Sequence, residues 1–582
     1  MSSNQRNADA IIIGIDFGTT YSGVAWAYSR EPGDIEVITN WNVMRGSGCA
    51  DSGKVPTQID FGSEGTTWGF GIPLEKDGLR WFKLFLLEES DLCRDVSTSS
   101  QLHEARRLML DANKSTIDTI SAFLLSLWHH SIDNIKRSHG AEWFNKCKLH
   151  VVITMPAVWP HYAQQQIKRA AEMSGILDRR SCGKTILSFV SEPEAAALAT
   201  LKDLSKRSVI KRGDTIVVCD AGGGTVDLIS YVIESVDPFS VKECVQGEGG
   251  LCGAVFLDEG FINLIKQKVS PNAWDRLSKQ EQKKFLNDEW EDGIKQQFTD
   301  QQRRWLVELP EVCGEATSGI KRRRAIDLSS SEIALVFSPI IQKIQKLVAS
   351  QVQAVVDKYT KPPKYIILAG GFGRSRHLFQ QLEATYPSTV LQSTGNKPWT
   401  AVCRGAVTHG LTGRHSASDF NVSVRARIAR MSYGVEFRVQ WVEGKYLECD
   451  KVWGKECCVW EAGRQMDWFL TQGDDVNDKE PVCQHYTLYY DESIDVVETE
   501  IFCSSVSPPP SRQDETVFRL CTMRWAQHIK RESLRTWTNK SGKVYHLLEY
   551  VVKMTCENGT VEFSIYHKGK RVSGKNVEVV FD

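Results

Sequence analysis

The sequence has almost no excess of charge of either sign, since 71 Lys and Arg residues stand against 72 Asp and Glu residues. Without a global basic field, nucleic acid and anionic membranes are poor candidates as partners. Residues 1–10 are polar and lack a secretory pattern, and no apolar stretch approaches the length of a membrane span. We therefore expect a soluble, cytoplasmic protein with a disordered N-terminus over residues 1–10.

Cysteine pairs at metal-binding spacing are also missing. The 16 Cys residues form neither Cys-x-x-Cys pairs nor a Cys/His cluster at zinc spacing. Several, such as Cys219, Cys252 and Cys403, fall inside apolar or glycine-rich segments. Buried, reduced thiols are therefore favoured over a zinc site.

The sequence does contain two similar segments, residues 13–23 and 217–227, in which an apolar run ends in an Asp, a turn of Gly and Thr follows, and a second apolar run begins. This pattern predicts strand, tight turn, strand. Glycines let backbone N–H groups approach phosphate oxygens, and Asp carboxylates are hard ligands for hydrated Mg²⁺. A glycine turn alone is more often only a turn. The duplication, with a third glycine turn at 370–373, favours a two-lobed nucleotide clamp.

Strand-like and helix-like segments alternate over residues 11–412, which predicts an α/β fold. Ser115 and Asp118 form a capping box that predicts the start of a core-facing helix. After about residue 420, short apolar runs separated by Gly, Pro, Asp and Ser predict a small β domain over 420–582. Within it, residues 505–513 contain three consecutive prolines and are predicted to form a disordered linker.

The region 261–330 is polar and helix-prone, and we interpret it as a smaller subdomain with Trp290, Ile294 and Phe298 on one helix face. Its basic run, residues 321–324, fits a nuclear-import signal or a phosphate contact. A solvated face is the commoner explanation for so short a run. The nucleus is therefore kept as an alternative location.

At these motifs the sequence resembles the heat shock protein 70 chaperone family, within the ATPase superfamily shared by actin and hexokinase. The segments that carry the resemblance, in order, are residues 16–22, 191–197, 220–227 and 370–374. The resemblance implies a nucleotide-binding domain over 11–412 with two ribonuclease H-like lobes, about 11–210 and 211–412. Residues 420–582 faintly resemble the family's peptide-binding β-sandwich, with no helical lid in the printed sequence, a pattern typical of a divergent branch.

The resemblance also implies site residues and cofactors, namely ATP or ADP, Mg²⁺ and K⁺. The carboxylates that organise the metal would be Asp16, Glu192, Asp220 and Asp227. The phosphate-binding residues would be Gly18, Thr19, Thr20, Tyr21, Gly222, Gly223, Gly224, Thr225 and Gly253. Lys83, Glu192, Asp220 and Thr225 would be catalytic. The nucleoside would contact Asp292, Lys295, Thr299, Gly370, Gly371, Phe372, Arg374 and Trp399, although positions 292, 295 and 299 equally fit an ordinary solvated helix face.

The chain departs from the family pattern beside the expected nucleoside. Trp399 replaces an Asp after Pro398, and Phe372 replaces a small polar residue. An aromatic ring there could stack on adenine or crowd it. Ala254 stands where the family has part of an acidic pair, and the family's interdomain linker is not visible in residues 409–421.

The leading hypothesis is a slow ATPase, chaperone or chaperone-related, that acts on a protein or peptide client with a co-chaperone or nucleotide-exchange partner. One alternative is a nucleotide-binding scaffold or signalling protein with little turnover. Another is a sugar or metabolite kinase, for which we find no additional catalytic Asp motif. The β domain either binds extended peptide or only braces the ATPase domain.

Overall fold

The computed structural model describes the chain except for residues 1–8, 43–50, 63–64, 74, 93–96, 98, 158, 205–209, 270, 311–312, 314–324, 413–421, 477–480, 492–493, 558–559, 573–576 and 582. The chain forms two compact units, Met1–Val424 and Arg425–Asp582. The predicted disorder over 1–10 falls mainly outside the described residues, although Ala10 is described and begins the first strand. The basic run 321–324 and most of segment 409–421 also lie outside them.

The first unit alternates strands and helices. Its strands are β1 Ala10–Asp16, β2 Tyr21–Tyr28, β3 Glu36–Val37, β4 Val55–Pro56, β5 Gln58–Gly62, β6 Gly65–Trp68, β7 Leu79–Arg80, β8 Lys148–Met155, β9 Ile186–Ser191, β10 Thr215–Ala221, β11 Val226–Val236, β12 Phe239–Gly250, β13 Arg304–Glu308, β14 Ala325–Ser329, β15 Tyr365–Ala369, β16 Val390–Gln392 and β17 Val422–Val424. Its helices are α1 Ser100–Asp111, α2 Thr116–His139, α3 Ala141–Lys146, α4 His161–Met173, α5 Glu192–Leu204, α6 Val255–Val269, α7 Pro271–Asp275, α8 Lys279–Phe285, α9 Lys295–Gln297, α10 Ser330–Tyr359, α11 Arg376–Thr385 and α12 Ala401–Thr412, with a π-helical segment Leu286–Ile294 before α9.

Two six-stranded sheets of this unit repeat one pattern of pairing. The first has the order β3-β2-β1-β8-β9, with β4 paired to β2, and the second has the order β16-β15-β10-β11-β12-β17. In the first, β1 pairs antiparallel with β2 and parallel with β8. In the second, β10 pairs antiparallel with β11 and parallel with β15. The two predicted hairpins thus hold equivalent places in mixed sheets, and the predicted α/β class is confirmed.

Helices cover both sheets, which explains why β1 and β10 are buried along their whole length. Helices α2 and α4 contribute to a core over one face of the first sheet, and α6 and α10 do the same for the second. Helix α5 packs in a third cluster that contains residues of both sheets, among them Val152 and Val218. The structure therefore joins the two sheets through α5, whose first residue is Glu192.

Helices α5 and α12 approach so closely that Gly405 is sterically required. A Cβ atom at Gly405 would lie 1.6 Å from the carbonyl oxygen of Ala195. We expect Gly405→Ala to lower the free energy of unfolding by about 1–3 kcal/mol or more, as overpacking does. Chemical denaturation would measure this. Gly33→Ala is the matched control, because nothing lies within 4 Å of its added Cβ, and an effect as large as that of Gly405→Ala would contradict the steric explanation.

The helix starts follow the sequence closely. Ser115 accepts a hydrogen bond from the Asp118 N–H at 3.1 Å, and the Asp118 carboxylate accepts one from the Ser115 N–H at 3.2 Å, so the predicted capping box is confirmed. Trp290, Ile294 and Phe298 are buried together in the second core, but they do not share one helix face as predicted, because the helix ends at Gln297 and Phe298 is extended. The sequence did not predict the β13–β14 hairpin in the same region.

Within the described residues, α10 is the one helix long and apolar enough by composition to cross a membrane. The expectation that no apolar stretch approaches that length was therefore wrong for this helix. Its residues Ile333, Phe337 and Ile344 are buried in the core beside the second sheet. This packing accounts for much of its apolar composition.

The second unit is built mainly of strands. They are β18 Arg427–Ile428, β19 Ser432–Gln440, β20 Lys451–Gly454, β21 Val459–Leu470, β22 Asp475–Val476, β23 Val482–Tyr490, β24 Ile494–Ser504, β25 Phe518–Ile529, β26 Arg535–Thr538, β27 Val544–Glu557, β28 Thr560–His567, β29 Lys570–Arg571 and β30 Val577–Phe581. One sheet has the order β20-β21-β19-β24-β25-β30, and a second has the order β23-β27-β28-β29, with β26 paired to β27. Residues of both sheets, such as Ile501 and Val552, share one core cluster.

The predicted disordered linker at residues 505–513 is instead an ordered connection inside this unit. The Met466 N–H donates to the Ser511 carbonyl at 2.9 Å, and the Gln513 N–H donates to the Arg464 carbonyl at 2.8 Å. The Trp468 indole N–H donates to the Pro510 carbonyl at 2.7 Å. Composition suggested disorder, but these bonds to β21 fix the segment.

Candidate functional site

The turns of the two hairpins are in direct side-chain contact. A Cβ atom at Gly223 would lie 2.0 Å from the Thr20 hydroxyl oxygen, and one at Gly224 would lie 2.9 Å from the Thr19 hydroxyl oxygen. Glycine is therefore needed here for close approach as well as for the turn. The structure brings the two predicted phosphate-binding turns to one place.

The start of α6 holds the second turn through backbone hydrogen bonds. The N–H groups of Gly253, Ala254 and Val255 donate to the carbonyls of Gly224, Gly222 and Gly223, at 3.1, 3.2 and 3.0 Å. A Cβ at Gly253 would lie 2.2 Å from the Gly223 oxygen, so this glycine is sterically required. The departure at Ala254 thus leaves the backbone contact with the second turn in place.

Four buried carboxylates lie beneath the turns, and they belong to Asp16, Glu192, Asp220 and Asp227. Asp220 and Asp227 are directly opposite each other on β10 and β11. Burial raises the pKa of Asp220 well above its ordinary value, and the charges of Glu192, Asp16 and Asp227 act in the same direction. Burial also raises the pKa of Glu192, against the opposing effect of Lys83. The cluster therefore concentrates negative charge in a poorly solvated place.

Lys83 is almost completely buried, with 1% of its surface exposed. Its ammonium donates to the Glu192 carboxylate at 2.6 Å and to the Phe17 carbonyl at 2.6 Å. It also lies 5.3 Å from the centre of the Trp159 ring. Trp81, two residues before Lys83, has a φ of 61°, which is a left-handed backbone conformation. This conformation costs about 1–3 kcal/mol and is typical of functional sites.

Lys54 is a second buried cation in the cluster, and the sequence analysis missed it. It forms an ion pair with the Asp16 carboxylate, and its side chain is 8% exposed. Although burial disfavours its charged form, Asp16 keeps the pKa of Lys54 above its ordinary value. No motif marks this residue, which stands alone before the short strand β4.

Aromatic and cationic groups cluster at the predicted nucleoside side of the site. The rings of Tyr21 and Trp399 meet edge to face with centres 5.6 Å apart, and the Arg374 guanidinium lies 5.2 Å from the Trp399 ring centre. A Cβ at Gly371 would lie 3.4 Å from the Trp399 ring. Gly370, at φ 83°, donates its N–H to the Pro398 carbonyl at 2.9 Å. Trp399 is thus fixed beside the third glycine turn.

The Phe372 ring does not belong to this group. It is 4% exposed and packs in the second core, with its centre 6.4 Å from that of Phe337. Phe372, which stands where the family has a small polar residue, therefore packs in the core. The ring that would stack on a base is that of Trp399.

Lys295 lies in a buried charge network close to Tyr21. Its ammonium donates to the Asp258 and Glu291 carboxylates, at 2.7 Å each. Burial raises the pKa of Tyr21, and Glu291 and Asp292 act in the same direction while Lys295 opposes them. Asp292 itself is exposed.

Thr299 shows no described contact with the other predicted nucleoside residues. Its hydroxyl accepts the Gln301 N–H at 3.4 Å, in the segment after α9. The structure therefore assembles most of the predicted site and leaves Thr299 apart from it. The further groups that it adds are Lys54, Trp159, Asp258 and Glu291.

The carboxylates suit Mg²⁺ by chemistry, since the ion prefers hard oxygen ligands. Their arrangement does not suit a resident ion. Within the described part of the chain no three Asp, Glu, His or Cys residues converge as a metal-binding group. The Asp16 carboxylate is paired with Lys54 and the Glu192 carboxylate with Lys83.

A cavity of about 340 Å³ opens beside Thr225. It is lined from the first sheet's side of the unit by Leu87, Asp91, Trp159 and Pro160, and from the second by Gly249, Gly250 and Leu251. Because Trp159 also contacts Lys83, this cavity lies next to the buried lysine.

Comparisons with known proteins agree with the resemblance to the heat shock protein 70 family. Residues 112–452 match the family described as Hsp70 protein, and residues 427–580 match a family described as a domain of unknown function. The chain is 23% identical over 578 residues to heat shock 70 kDa protein 12A of Homo sapiens, with 83% of this chain and 80% of that protein covered. It is 25% identical over 324 residues to heat shock 70 kDa protein 12B of Homo sapiens, with 45% of each covered. It is 25% identical over 437 residues to mitochondrial-type heat shock protein 70 of Encephalitozoon hellem, with 73% and 66% covered.

Proposed function

The chain belongs to the Hsp70 family and is similar to its members 12A and 12B, and on this premise we propose that it binds ATP at the two hairpins and hydrolyses it slowly. The single observation that carries the proposal is the meeting of the two glycine turns above four buried carboxylates and Lys83. Glycine turns supply N–H groups to phosphates, and the buried lysine supplies positive charge.

In this proposal, each group has a separate task. The turn N–H groups and the Thr19 and Thr20 hydroxyls bind the phosphates. Lys83 places its ammonium toward the departing γ-phosphate, where positive charge counts most in the transition state. Glu192 and Asp220 orient the attacking water, and Thr225 lies beside the cavity through which that water would enter.

The finer architecture is part of the proposal. We propose that the two equivalent sheets are the cores of duplicated ribonuclease H-like lobes of an actin-like and hexokinase-like ATPase. Since the turns already touch, a phosphate group entering between them must separate them, and this would couple nucleotide binding to a change in the separation of the lobes. K⁺ binding and a cytoplasmic location stay predictions.

We further propose that the second unit is a β-sandwich that contacts a protein or peptide client. The supporting observation is the short strand β20, which lies at the end of its sheet and carries the exposed Trp453 opposite Trp460. An extended peptide can pair with such an edge, with affinity from main-chain hydrogen bonds. Fluorescence anisotropy with apolar peptides would test this, and the absence of saturable binding in ATP and in ADP would leave a bracing unit.

A nucleotide-binding scaffold with little turnover is the second candidate. It is favoured by the Lys83–Glu192 pair, since each proposed catalytic group already binds the other. One experiment separates the candidates: measure ADP released from ATP alone, with a panel of sugars and with unfolded peptides. We expect slow release without sugar and stimulation by peptide. Sugar-dependent release would indicate a kinase, and ATP binding without release would indicate a scaffold.

Trp399 should contribute to nucleotide affinity by stacking on the base. Because stacking on an aromatic side chain is worth about 1–3 kcal/mol per base, Trp399→Ala should weaken ATP binding roughly tenfold. Inorganic tripolyphosphate, which has no base, is the control ligand, and its affinity should not change. Tighter ATP binding in the variant would mean that Trp399 crowds the base.

A further inference from the structure

The strongest feature that the proposed function does not use is the ion pair between Lys54 and Asp16. Both side chains are buried, with 8% and 5% of their surfaces exposed. Asp16 is the last residue of β1, directly before the first phosphate-binding turn. Lys54 therefore pairs with the Asp16 carboxylate, which a nucleotide-bound metal ion would be expected to use as a ligand.

The backbone around Lys54 holds it in this place. The following residues, Val55 and Pro56, form β4 and pair with the start of β2. The Thr57 N–H donates to the Thr20 carbonyl at 2.7 Å, within the first turn, and the Thr57 hydroxyl contacts the Ser22 hydroxyl at 2.8 Å. The segment that carries Lys54 is thus fastened to the phosphate-binding hairpin itself.

The stem of Lys54 is directed by a glycine. A Cβ atom at Gly23 would lie 3.0 Å from the Lys54 Cγ atom, so the stem runs over Gly23. Gly23 is the cross-strand partner of Asp16. The stem therefore crosses β2 opposite Asp16 and delivers its ammonium to that carboxylate.

The charges of the cluster determine which further ions it can bind. Four buried carboxylates and the two buried lysines Lys54 and Lys83 leave an excess of negative charge when all are ionised. A divalent ion at Asp16 would have to displace the Lys54 ammonium or share the carboxylate with it, and two cations at one carboxylate repel each other. A lysine ammonium is itself a common phosphate-binding group that acts as a point charge.

We propose that Lys54 is a built-in cation of the nucleotide site, which holds the position of a divalent ion at Asp16 and supplies positive charge to the nucleotide phosphates. Nucleotide binding then depends little on divalent cations. This inference rests on the proposed function, because it assumes that ATP binds at the hairpins.

The test is calorimetric titration of the 582-residue chain with ATP, in Mg²⁺ and again in excess EDTA. For the wild type we expect affinities within about tenfold of each other, since the lysine supplies the charge in both. For Lys54→Met we expect metal-free affinity to fall by about 10-fold to 100-fold, the worth of a hydrogen bond to a charged group. With Mg²⁺ the variant should lose less, because the vacated Asp16 can then take the ion.

Lys364→Met is the matched control. Lys364 pairs with Asp214 at 2.6 Å, at the end of β10 remote from the turn, and this pair is only partly buried. The control should leave both affinities unchanged. Thermal unfolding of each variant, and of Asp16→Asn/Lys54→Met, in which neither charge is left unpaired, shows whether a lost affinity reflects lost folding.

The outcomes distinguish the role of Lys54 from ATP binding at the hairpins. Metal-free binding by the wild type that falls in Lys54→Met, but not in Lys364→Met, supports the inference. Wild-type binding in Mg²⁺ that weakens more than about tenfold in EDTA overturns it and leaves the proposed function standing. No ATP binding by the folded wild type in either buffer overturns both. The wild-type comparison needs no variant, so a Lys54→Met protein that fails to fold does not prevent the test.

Discussion

Replacing Lys83 with methionine should lower the free energy of unfolding of the first unit by about 3–5 kcal/mol, the usual cost of removing one partner of a buried ion pair. The reason is local. Lys83 is 1% exposed and donates to Glu192 and to the Phe17 carbonyl, at 2.6 Å each. Its loss leaves the Glu192 carboxylate buried without its cation. Chemical denaturation that follows the first unit would measure the change.

A second substitution shows whether the pair itself is responsible. Lys83→Met/Glu192→Gln removes both charges, so it should recover a substantial part of the lost stability. Lys364→Met is the control, since its partly exposed pair should be worth only about 0–1 kcal/mol. Equal losses in Lys83→Met and in the double variant would contradict the ion-pair explanation. Neither Lys83 variant should hydrolyse ATP, even where folding recovers.

Asp220→Asn should have opposite effects on stability and activity. At neutral pH we expect the variant to be more stable than the wild type by about 0.5–2 kcal/mol, the common range for stabilising substitutions. Glu192, Asp16 and Asp227 already surround this buried carboxylate with negative charge. We expect ATP turnover to fall about a hundredfold, because Asp220 is proposed to orient the attacking water and misplacement of a reacting group can cost about that much. Asp34→Asn, at an exposed loop position, should change neither quantity.

The difference in stability between Asp220→Asn and the wild type should depend on pH. The pKa of Asp220 is raised well above its ordinary value of 3.8, first by burial and then by the neighbouring carboxylates. The folded protein therefore keeps a proton that the unfolded chain releases, and the contribution of Asp220 to stability falls as pH rises from 3.8 through the raised pKa. The advantage of Asp220→Asn should be greatest at neutral and alkaline pH and should vanish as pH approaches 4. An advantage that grows on acidification would contradict the account.

The parts of the fold that sequence predicted are those in which local pattern and tertiary packing agree. The apolar runs of β1 and β10 end in Asp and glycine turns, and both form the predicted hairpins. The capping box at Ser115 starts α2 where the sequence places it. The resemblance to the heat shock protein 70 family is confirmed by the match over residues 112–452 and by the similarity to heat shock 70 kDa protein 12A.

The parts that sequence missed depend on contacts between distant segments. Lys54 meets Asp16 across 38 residues of chain, and nothing in its neighbourhood distinguishes it from a surface lysine. Residues 505–513 have the composition of a linker, but bonds to β21 order them. Phe372 lies in a glycine turn that suggested a ligand contact, whereas its ring fills the core next to Phe337. Composition cannot reveal such pairings, because the partners come from elsewhere in the fold.

The central claim, that the two hairpins bind the phosphates of ATP, is tested most directly by calorimetric titration of the folded wild-type chain with ATP in Mg²⁺. We predict saturable binding to a single class of site, competed by ADP and much weaker for adenosine, because the turns contact phosphates. Absence of saturable binding, or equal affinity for ATP and adenosine, would contradict the account.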